Sequence, residues 1–306
     1  MVASARWSCR IALFSVSLLL VALVLHRLAS LSTPLAINLF AVGFAGAALA
    51  VPVGLVALVR IWFTGHAGAG NTAVGILLPV MAFAGPLGFL AAHLDLPRIN
   101  DVTTDWTTPP SFTVLAKRAE GANAIAYPGQ HSAELQARAY PDLRSLVLDR
   151  SVEEAFELVE EAVRRLRWRV VSEEPPAGGR AAAKAGRLEA TEQTLVVGFT
   201  DDIVIRVEGG ATQARVDARS ASRYGRFDFG QNAARLRRFF AEVRARAEAT
   251  PPAAVATKAR LQPGAGARAL LKRQKARDQK KVESRSVRGP AKSGAQRAPA
   301  PKETPR

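Results

Sequence analysis

Three long apolar runs, separated by short polar stretches, occupy the N-terminal third of the chain. The second run, Leu35–Val59, and the third, Ala73–Ala92, contain no charged residue. Each is long enough to cross a hydrocarbon layer of about 30 Å as a helix, and so is the first run when Ile11–Leu25 is extended to Trp7–Leu31. Alone, the first run also resembles a signal-peptide core, so a cleaved segment followed by two helices is the alternative. The pattern predicts that residues 1–97 form a membrane anchor of three helices.

Arginines near the ends of these runs indicate how the anchor is oriented, because positive residues are enriched in cytoplasmic loops. Arg6, Arg10 and Arg60 would share one side of the membrane. Arg27 and Arg98 would lie on the opposite side. The bias predicts a multi-pass protein of the inner (cytoplasmic) membrane, with a cytoplasmic N-terminus and an extracytoplasmic C-terminal domain.

The interior of the anchor favours packing over transport. Gly46, Ala50 and Gly54 recur every four residues, a stripe that lets helix backbones approach closely. Ion pathways and proton relays normally require ionisable residues, yet the second and third runs contain no Asp, Glu, Lys, Arg or His. The helices are therefore predicted to anchor the protein in the lipid bilayer.

A pattern of shorter elements follows the anchor. Prolines and glycines interrupt residues 98–141, which are predicted to be an extended connecting segment. A strand is expected at Leu143–Leu148. Ser151 and Glu154 match the S-x-x-E capping box of a helix start, and apolar residues then recur at steps of three or four until Leu166.

Strand-like runs make up the middle of this second region. They are Trp168–Val171, Arg187–Glu192, Leu195–Phe199, Ile203–Glu208 and Gln213–Ser222. A second helix is expected to start at Asp228, with Gln231 as its capping partner. The order strand, helix, antiparallel meander, helix predicts an α+β domain at residues 142–249, with two layers and two helices on one face of an antiparallel sheet.

Charge is concentrated in the last part of the chain. Pro251–Arg306 carries 15 Lys and Arg against 3 Asp and Glu, which leaves only about +4 of the net charge of +16 for the rest. The composition cannot support a core, so residues 250–306 are predicted to be a disordered basic tail that attracts anionic surfaces. Four scattered histidines and the lone Cys9 lack metal-ligand spacing, and no metal or cofactor is expected.

An ordered set of short motifs resembles a known family. It consists of INDVTTD from Ile99, Tyr127-Pro128, Tyr140-Pro141-Asp142, FTDDIVIRV at Phe199–Val207 and DARSASRYGRFDFGQNAARLRRFF at Asp217–Phe240. Together these motifs are similar to the family numbered as domain of unknown function 1499, over roughly Arg98–Val243. The resemblance implies a domain of bacteria and plant plastids that often follows membrane helices. It implies no reaction and assigns no catalytic residue.

INDVTTDW is the first candidate for a functional segment. Three consecutive β-branched residues favour a strand over a helix. In a strand Asp101, Thr103 and Asp105 share a face, with the two carboxylates about 13 Å apart, which is too far for one ion to bridge. The segment either caps turns and fixes the domain to the membrane exit or faces a ligand. We predict that Asp101 or Asp105 approaches Arg219, Arg223 or the turn at Asp201 and Asp202, closing a polar patch where the domain faces the membrane; otherwise the segment is only a linker.

The other candidates lie in the FTDD and RSASR motifs. Thr200, Asp201 and Asp202 are predicted to form a turn between two strands. Arg219 and Arg223 bracket Ser220, and guanidinium groups with hydroxyls suit a carboxylate or phosphate. The helix start after Asp228 would add free N–H donors, although Asp228 as a cap would compete for them. Surface ion pairing and an anion site are both open.

Three functions remain from these patterns. The leading interpretation is a non-catalytic, membrane-anchored binding or scaffold domain. The first alternative is an enzyme that uses Asp101, Asp105, Asp201 or Asp202 as acid or base, which requires these carboxylates to converge in one cleft with raised pKa values. The second is an electrostatic tether that binds anionic lipid or nucleic acid through the basic tail.

Overall fold

A computed structural model describes residues 2–177 and 185–251, together with residues 274, 276 and 277. One compact unit spans Met1–Thr250. The tail predicted to be disordered spans residues 250–306. After residue 251 it lies outside the described residues, apart from positions 274, 276 and 277.

Three helices form the N-terminal part of the chain, which confirms the predicted apolar helices. They are α1 (Ala3–Arg27), α2 (Thr33–Thr64) and α3 (Ala69–Ala92). All three are long and apolar enough to cross a membrane. The small-residue stripe of α2 lies against α1, where the Ser8 hydroxyl donates to the Ala50 carbonyl at 2.8 Å. A Cβ at Gly54 would lie 2.8 Å from Ser8 Oγ, so glycine allows this close approach.

The folded region after the helices is α+β, as predicted. Its elements are β1 (Asp101–Thr103), α4 (Gln130–Ala139), β2 (Leu146–Leu148), α5 (Val152–Arg165), β3 (Arg169–Glu174), β4 (Gly186–Gln193), β5 (Thr200–Gly209), β6 (Ala214–Ser222) and α6 (Gln231–Ala249). All strand pairs are antiparallel, in the order β1-β6-β5-β4-β3, and β2 also pairs with β6.

One side of the sheet, here called the helix face, packs against α5 and α6. Alternation turns Leu188, Ile203, Ile205 and Val216 toward this side, where they join the main apolar core. Helix α5 begins as its capping box predicts, with the Ser151 hydroxyl accepting the Glu154 N–H at 3.2 Å. Its apolar residues recur at helical spacing, so one stripe is buried and the opposite side is exposed.

The opposite side, here called the loop face, is covered by residues 104–127, the covering segment. Phe112 and Leu115 of this segment pack on Val204 and Ala221 of the sheet. Residues 98–141, predicted as an extended connection, thus contain β1, α4 and the cover of a sheet face. The side chain of Gln136 on α4 bonds both the N–H and the carbonyl of Thr103, which fixes α4 to the edge strand β1.

The predicted strand Leu195–Phe199 is wrong, because these residues form the tip of the β4–β5 hairpin. Thr194 and Phe199 close the turn through backbone bonding at 2.8 Å, and the Thr194 hydroxyl accepts the Phe199 N–H. Gly198 adopts a φ of 82°, in the left-handed region that glycine tolerates. The apolar composition of the run predicted a strand, but turn closure and this glycine end the ladder. In the part of the chain that the structure describes, four strands, β3–β6, therefore follow α5 instead of five.

The predicted start of the last helix is also displaced. Helix α6 begins at Gln231, because Gly230 has a φ of 75° and cannot continue a helix. Asp228 nevertheless caps this first turn from outside, since its carboxylate accepts the N–H groups of Gly230 and Asn232 at 2.8 and 2.9 Å. Asp228 therefore binds the first turn as a cap would, but it lies before the helix, whose N-cap is Gly230.

Candidate functional site

Asp101 and Arg219 form a buried ion pair on the loop face. Strand β1 pairs with β6, which brings the two residues together with guanidinium–carboxylate distances of 2.9 and 2.6 Å. Arg219 also donates to the carbonyls of Pro110 and Ile125, near the two ends of the covering segment. Burial raises the pKa of Asp101, although the hydrogen bonds and charge of Arg219 oppose the rise. The predicted approach of INDVTTDW to Arg219 is therefore present, as a paired and buried contact.

Asp202 lies on the same face and binds two arginines. Its carboxylate accepts from Arg118 of the covering segment at 3.0 Å and from Arg223 beyond β6 at 2.8 Å. The prediction that residues 200–202 form a turn is wrong, because they begin β5 and pair with β4 and β6. The polar residues looked like a turn in sequence, yet strand alternation gives each aspartate a buried arginine partner on its own side of the sheet.

Asp201 points to the helix face, away from Asp202. It accepts from Arg235 of α6 at 2.7 Å, and Arg235 also contacts Glu192 at 2.5 Å. Burial raises the pKa of Asp201, while the charge and hydrogen bonds of Arg235 oppose the rise. This cluster links the sheet to α6 and is separate from the Asp101–Arg219 pair.

Ser220 also faces α6 and does not join Arg219 or Arg223. Its hydroxyl donates to Asn232 at 2.8 Å and accepts from Arg235 at 2.9 Å. The helix start that was expected to offer free donors is capped by Asp228. The predicted combination of Arg219, Ser220 and the helix N-terminus as one anion site therefore does not assemble.

Asp105, the penultimate residue of INDVTTDW, lies in a partly open position. It accepts the N–H groups of Thr107 and Thr108, the Thr108 hydroxyl, and guanidinium groups of Arg206 and Arg215 at 2.9 and 2.5 Å. Burial raises its pKa, but the hydrogen bonds from Thr108 and Arg206 and the charge of Arg215 lower it to about 2. The Thr103 hydroxyl donates to the Asp105 carbonyl, so Thr103 serves this local turn.

Glu189 is a buried carboxylate that the sequence analysis missed. It is fully buried on the loop face and accepts the N–H groups of Thr113 and Leu115 at 2.5 and 2.8 Å, with the Thr113 hydroxyl at 2.6 Å. Alternation in β4 turns Glu189 away from the apolar core, and the strand pattern by itself gives no sign of its burial. Only the presence of a cover on that side explains its burial.

Asp217 is the second missed carboxylate on the loop face. It accepts from Thr104 at 3.1 Å, Ser145 at 2.5 Å, Arg206 at 3.2 Å and Arg215 at 2.7 Å. Its position between Arg215 and Arg219 in the alternating strand was visible in sequence. Its partners at 104 and 145 could not be deduced, because they are distant along the chain.

One open pocket lies beside this cluster. It has a volume of about 310 Å³ and is lined by Thr104, Asp105, Trp106, Arg144, Ser145 and Arg215. The Arg144 guanidinium lies 5.7 Å from the centre of the Trp106 ring and donates through Nε to the Pro141 carbonyl. Among the described residues no carboxylate forms an ion pair with Arg144, which lines the pocket.

The predicted carboxylates do not converge in one cleft. Asp101 and Asp202 lie on the loop face with separate arginines, Asp201 lies on the helix face, and Asp105 lies at the pocket. Within the described ranges, 2–177 and 185–251, no group of three or more His, Cys, Asp or Glu residues is arranged to hold a metal ion.

The fold and these contacts define a class of protein: an α+β domain with a charge-paired loop face, joined to three candidate membrane helices. Residues 101–243 match the family described as Protein of unknown function (DUF1499). This match supports the assignment of residues 101–243 to that family and confirms the resemblance carried by the motifs.

Two further comparisons add little to this assignment. The curated proteins give no match. Among solved structures, CalU16 from Micromonospora echinospora is similar at 13% sequence identity, over 34% of this chain and 82% of that chain, with a TM-score of 0.20.

Proposed function

We propose that this protein is a membrane-anchored, non-catalytic binding domain, presented on the extracytoplasmic face of the inner membrane. Three apolar helices of spanning length support the anchor. The engagement of Asp101, Asp201 and Asp202 by arginines supports a structural role for these carboxylates. A general acid or base must reach a substrate proton, and a carboxylate held by buried guanidinium groups lacks that access.

The pocket beside Trp106 carries the binding part of the proposal. Arg144 and Arg215 contribute guanidinium groups to its wall. Arg215 is paired with Asp105 and Asp217, whereas Arg144 has no carboxylate partner among the described residues. Guanidinium groups bind carboxylate and phosphate oxygens through paired N–H donors. The stack of Arg144 on Trp106 orients the free end of that side chain. The chemistry fits a small molecule that bears a carboxylate or phosphate group.

Binding can be tested with the full chain in detergent, using inorganic phosphate and acetate as probes. We expect phosphate to raise the melting midpoint of the wild type and to have a much smaller effect on Arg144→Gln. Arg237→Gln is the matched control, because Arg237 is an exposed arginine paired with Asp142 on another surface. If Arg144→Gln responds to phosphate and acetate as the wild type does, this pocket does not bind anions.

The extracytoplasmic location rests on the arginine bias between the helix ends. A reporter that is active only outside the cytoplasm, fused after Thr250, should be active. A dark fusion there, together with an active cytoplasmic reporter at the same position, would reverse the orientation. That result would leave the pocket proposal standing, because ligand binding does not depend on the side of the membrane. The tether alternative depends on tail residues outside the described ranges.

A further inference from the structure

The tip of the β4–β5 hairpin exposes two large aliphatic side chains. Leu195 is 87% exposed and Val196 is 70% exposed. Residues 194–199 contain no charged residue. Hairpin turns in water normally carry Gly, Asn, Asp, Ser or Pro. An exposed apolar pair at such a tip therefore indicates a contact outside the domain.

The turn at the tip is closed by hydrogen bonds. The bonds between Thr194 and Phe199 fix its base, and the Gly198 N–H donates to the Thr194 carbonyl at 3.1 Å. Strands β4 and β5 continue the ladder from Gln193 and Thr200. Leu195 and Val196 are consequently presented by a defined turn at the end of the sheet.

The ends of α1 and α2 hold this tip in place. His26 of α1 lies 2.8 Å from the Val197 carbonyl through Nδ1 and 3.0 Å from the Thr33 hydroxyl through Nε2. The His26 ring also meets the Phe199 ring edge-on, with centroids 5.4 Å apart. Arg27 donates to the side chain of Gln193 at 3.3 Å. The tip thus lies at the level where two candidate membrane helices meet the domain.

The apolar surface of the helices continues at this level. Leu28 follows α1 and is exposed, and Leu35 in the first turn of α2 is exposed as well. Because α1 and α2 are spans in the proposed anchor, their ends lie at the boundary between hydrocarbon and headgroups. A side chain fixed beside those ends reaches the same boundary.

We propose that Leu195 and Val196 insert into the lipid bilayer beside the α1–α2 turn and form an additional contact that orients the domain on the membrane. This inference rests on the proposed membrane anchor. The occupant is lipid, since the pair is apolar, lacks any nearby acidic group in residues 194–199 and adjoins the lipid-facing helix ends. The contacts of the hairpin with His26 and Arg27 would then restrict movement of the domain relative to the membrane.

Spin labelling tests this insertion on the full chain in phosphatidylcholine vesicles. A nitroxide is attached at Leu195→Cys in a Cys9→Ser background, and its accessibility to oxygen and to a water-soluble nickel chelate is measured. Leu49→Cys, in the middle of α2, reports on the anchor. Val147→Cys, an exposed aliphatic position on β2, is the matched control on the domain.

The expected result is an oxygen-to-nickel accessibility ratio at residue 195 several-fold above that at residue 147 and below that at residue 49. If residue 195 is as accessible to nickel as residue 147 while residue 49 is protected, insertion is wrong and the anchor stands. Protection of residue 195 from both reagents would overturn insertion in favour of a protein contact. Nickel access at residue 49 would overturn the anchor and the insertion together.

Discussion

The two faces of the sheet are stabilised by different physics. On the helix face, apolar residues of β4, β5 and β6 pack against α5 and α6 in one continuous core. On the loop face, a small apolar cluster around Val204 is surrounded by buried arginines and carboxylates. Apolar packing depends on volume and tolerates exchange, whereas a buried ion pair depends on both partners. Apart from the Arg235–Asp201 pair at the start of β5, the helix face is therefore tolerant of exchange, whereas the loop face is exacting.

The segments that cover the two faces also differ in how regular their secondary structure is. Regular helices cover the helix face and satisfy their own backbone groups. The covering segment has little regular structure, so its N–H groups and carbonyls need side-chain partners. Glu189 and Arg219 supply such partners, because Glu189 accepts the Leu115 N–H and Arg219 donates to the Ile125 carbonyl. The buried charges on the loop face thus act mainly as partners of an irregular backbone.

The largest predicted effect follows from breaking the Asp101–Arg219 pair. Asp101→Asn leaves a buried guanidinium without its charge partner, which should cost about 3 to 5 kcal/mol of stability. The melting midpoint of the full chain in detergent should then fall by roughly 6 to 20 °C. Arg219→Lys should also destabilise, because an ammonium group cannot reproduce the paired contact.

A surface pair provides the control for that substitution. Arg237 and Asp142 form an exposed pair at 2.7 Å, so Arg237→Gln should cost about 0 to 1 kcal/mol. Equal melting shifts for Asp101→Asn and Arg237→Gln would contradict the exacting character of the loop face.

A smaller effect is expected for a volume-conserving change on the helix face. Leu236 on α6 is fully buried in the apolar core. Leu236→Met keeps the volume and should cost less than about 1.5 kcal/mol. The comparison with Arg219→Lys, a similarly conservative exchange on the loop face, measures the difference directly by melting. A larger loss of stability for Leu236→Met than for Arg219→Lys would contradict the predicted difference between the two faces.

The smallest predicted effects are pH dependences of opposite sign. Burial, the hydrogen bond with Glu173 and its charge raise the pKa of Glu160 on α5 to about 7. The folded state therefore binds this proton more tightly than the unfolded state, so its contribution rises as pH falls from about 7 toward the ordinary value. The pKa of Asp105, about 2, is below its ordinary value. Its contribution is present above the ordinary value and is lost as pH falls toward 2.

Melting midpoints as a function of pH check both signs. Glu160→Gln should raise the midpoint above pH 7, where Glu160 and Glu173 repel in the wild type, and should lose this advantage near pH 5. Asp105→Asn should lower the midpoint at neutral pH and should have a smaller effect near pH 2. A Glu160→Gln variant that is stabilised only in acid would show that the pair does not share a proton.

The helix face could be predicted from sequence because its signals are periodic. The Ser151 capping box, the apolar spacing of α5 and the alternation in β5 and β6 predicted the elements and the α+β class. The loop face could not be predicted in the same way. Alternation identifies Glu189 and Arg219 as opposite the core, but it does not reveal that a distant irregular segment covers them.

The contacts of the candidate site, too, could be predicted from the sequence only in part. The approach of Asp101 to Arg219 was predicted, because the motifs of the chain suggested that INDVTTDW packs on the domain. The opposite orientations of Asp201 and Asp202 were missed, since adjacent acidic residues between strands resemble a turn. Arg144 was missed because its role depends on Trp106, which only the folded chain brings beside it.

Amide hydrogen exchange of the covering segment tests the central claim most directly: that this segment is an integral layer of the domain, held by buried charge. The amides of Thr113 and Leu115, which bond to Glu189, should be strongly protected in the full chain. In Glu189→Gln their protection should fall by a large factor, while the amide of Ile205 in β5 stays protected. Exchange of Thr113 and Leu115 at the rate of an unstructured peptide in the wild type would contradict the account.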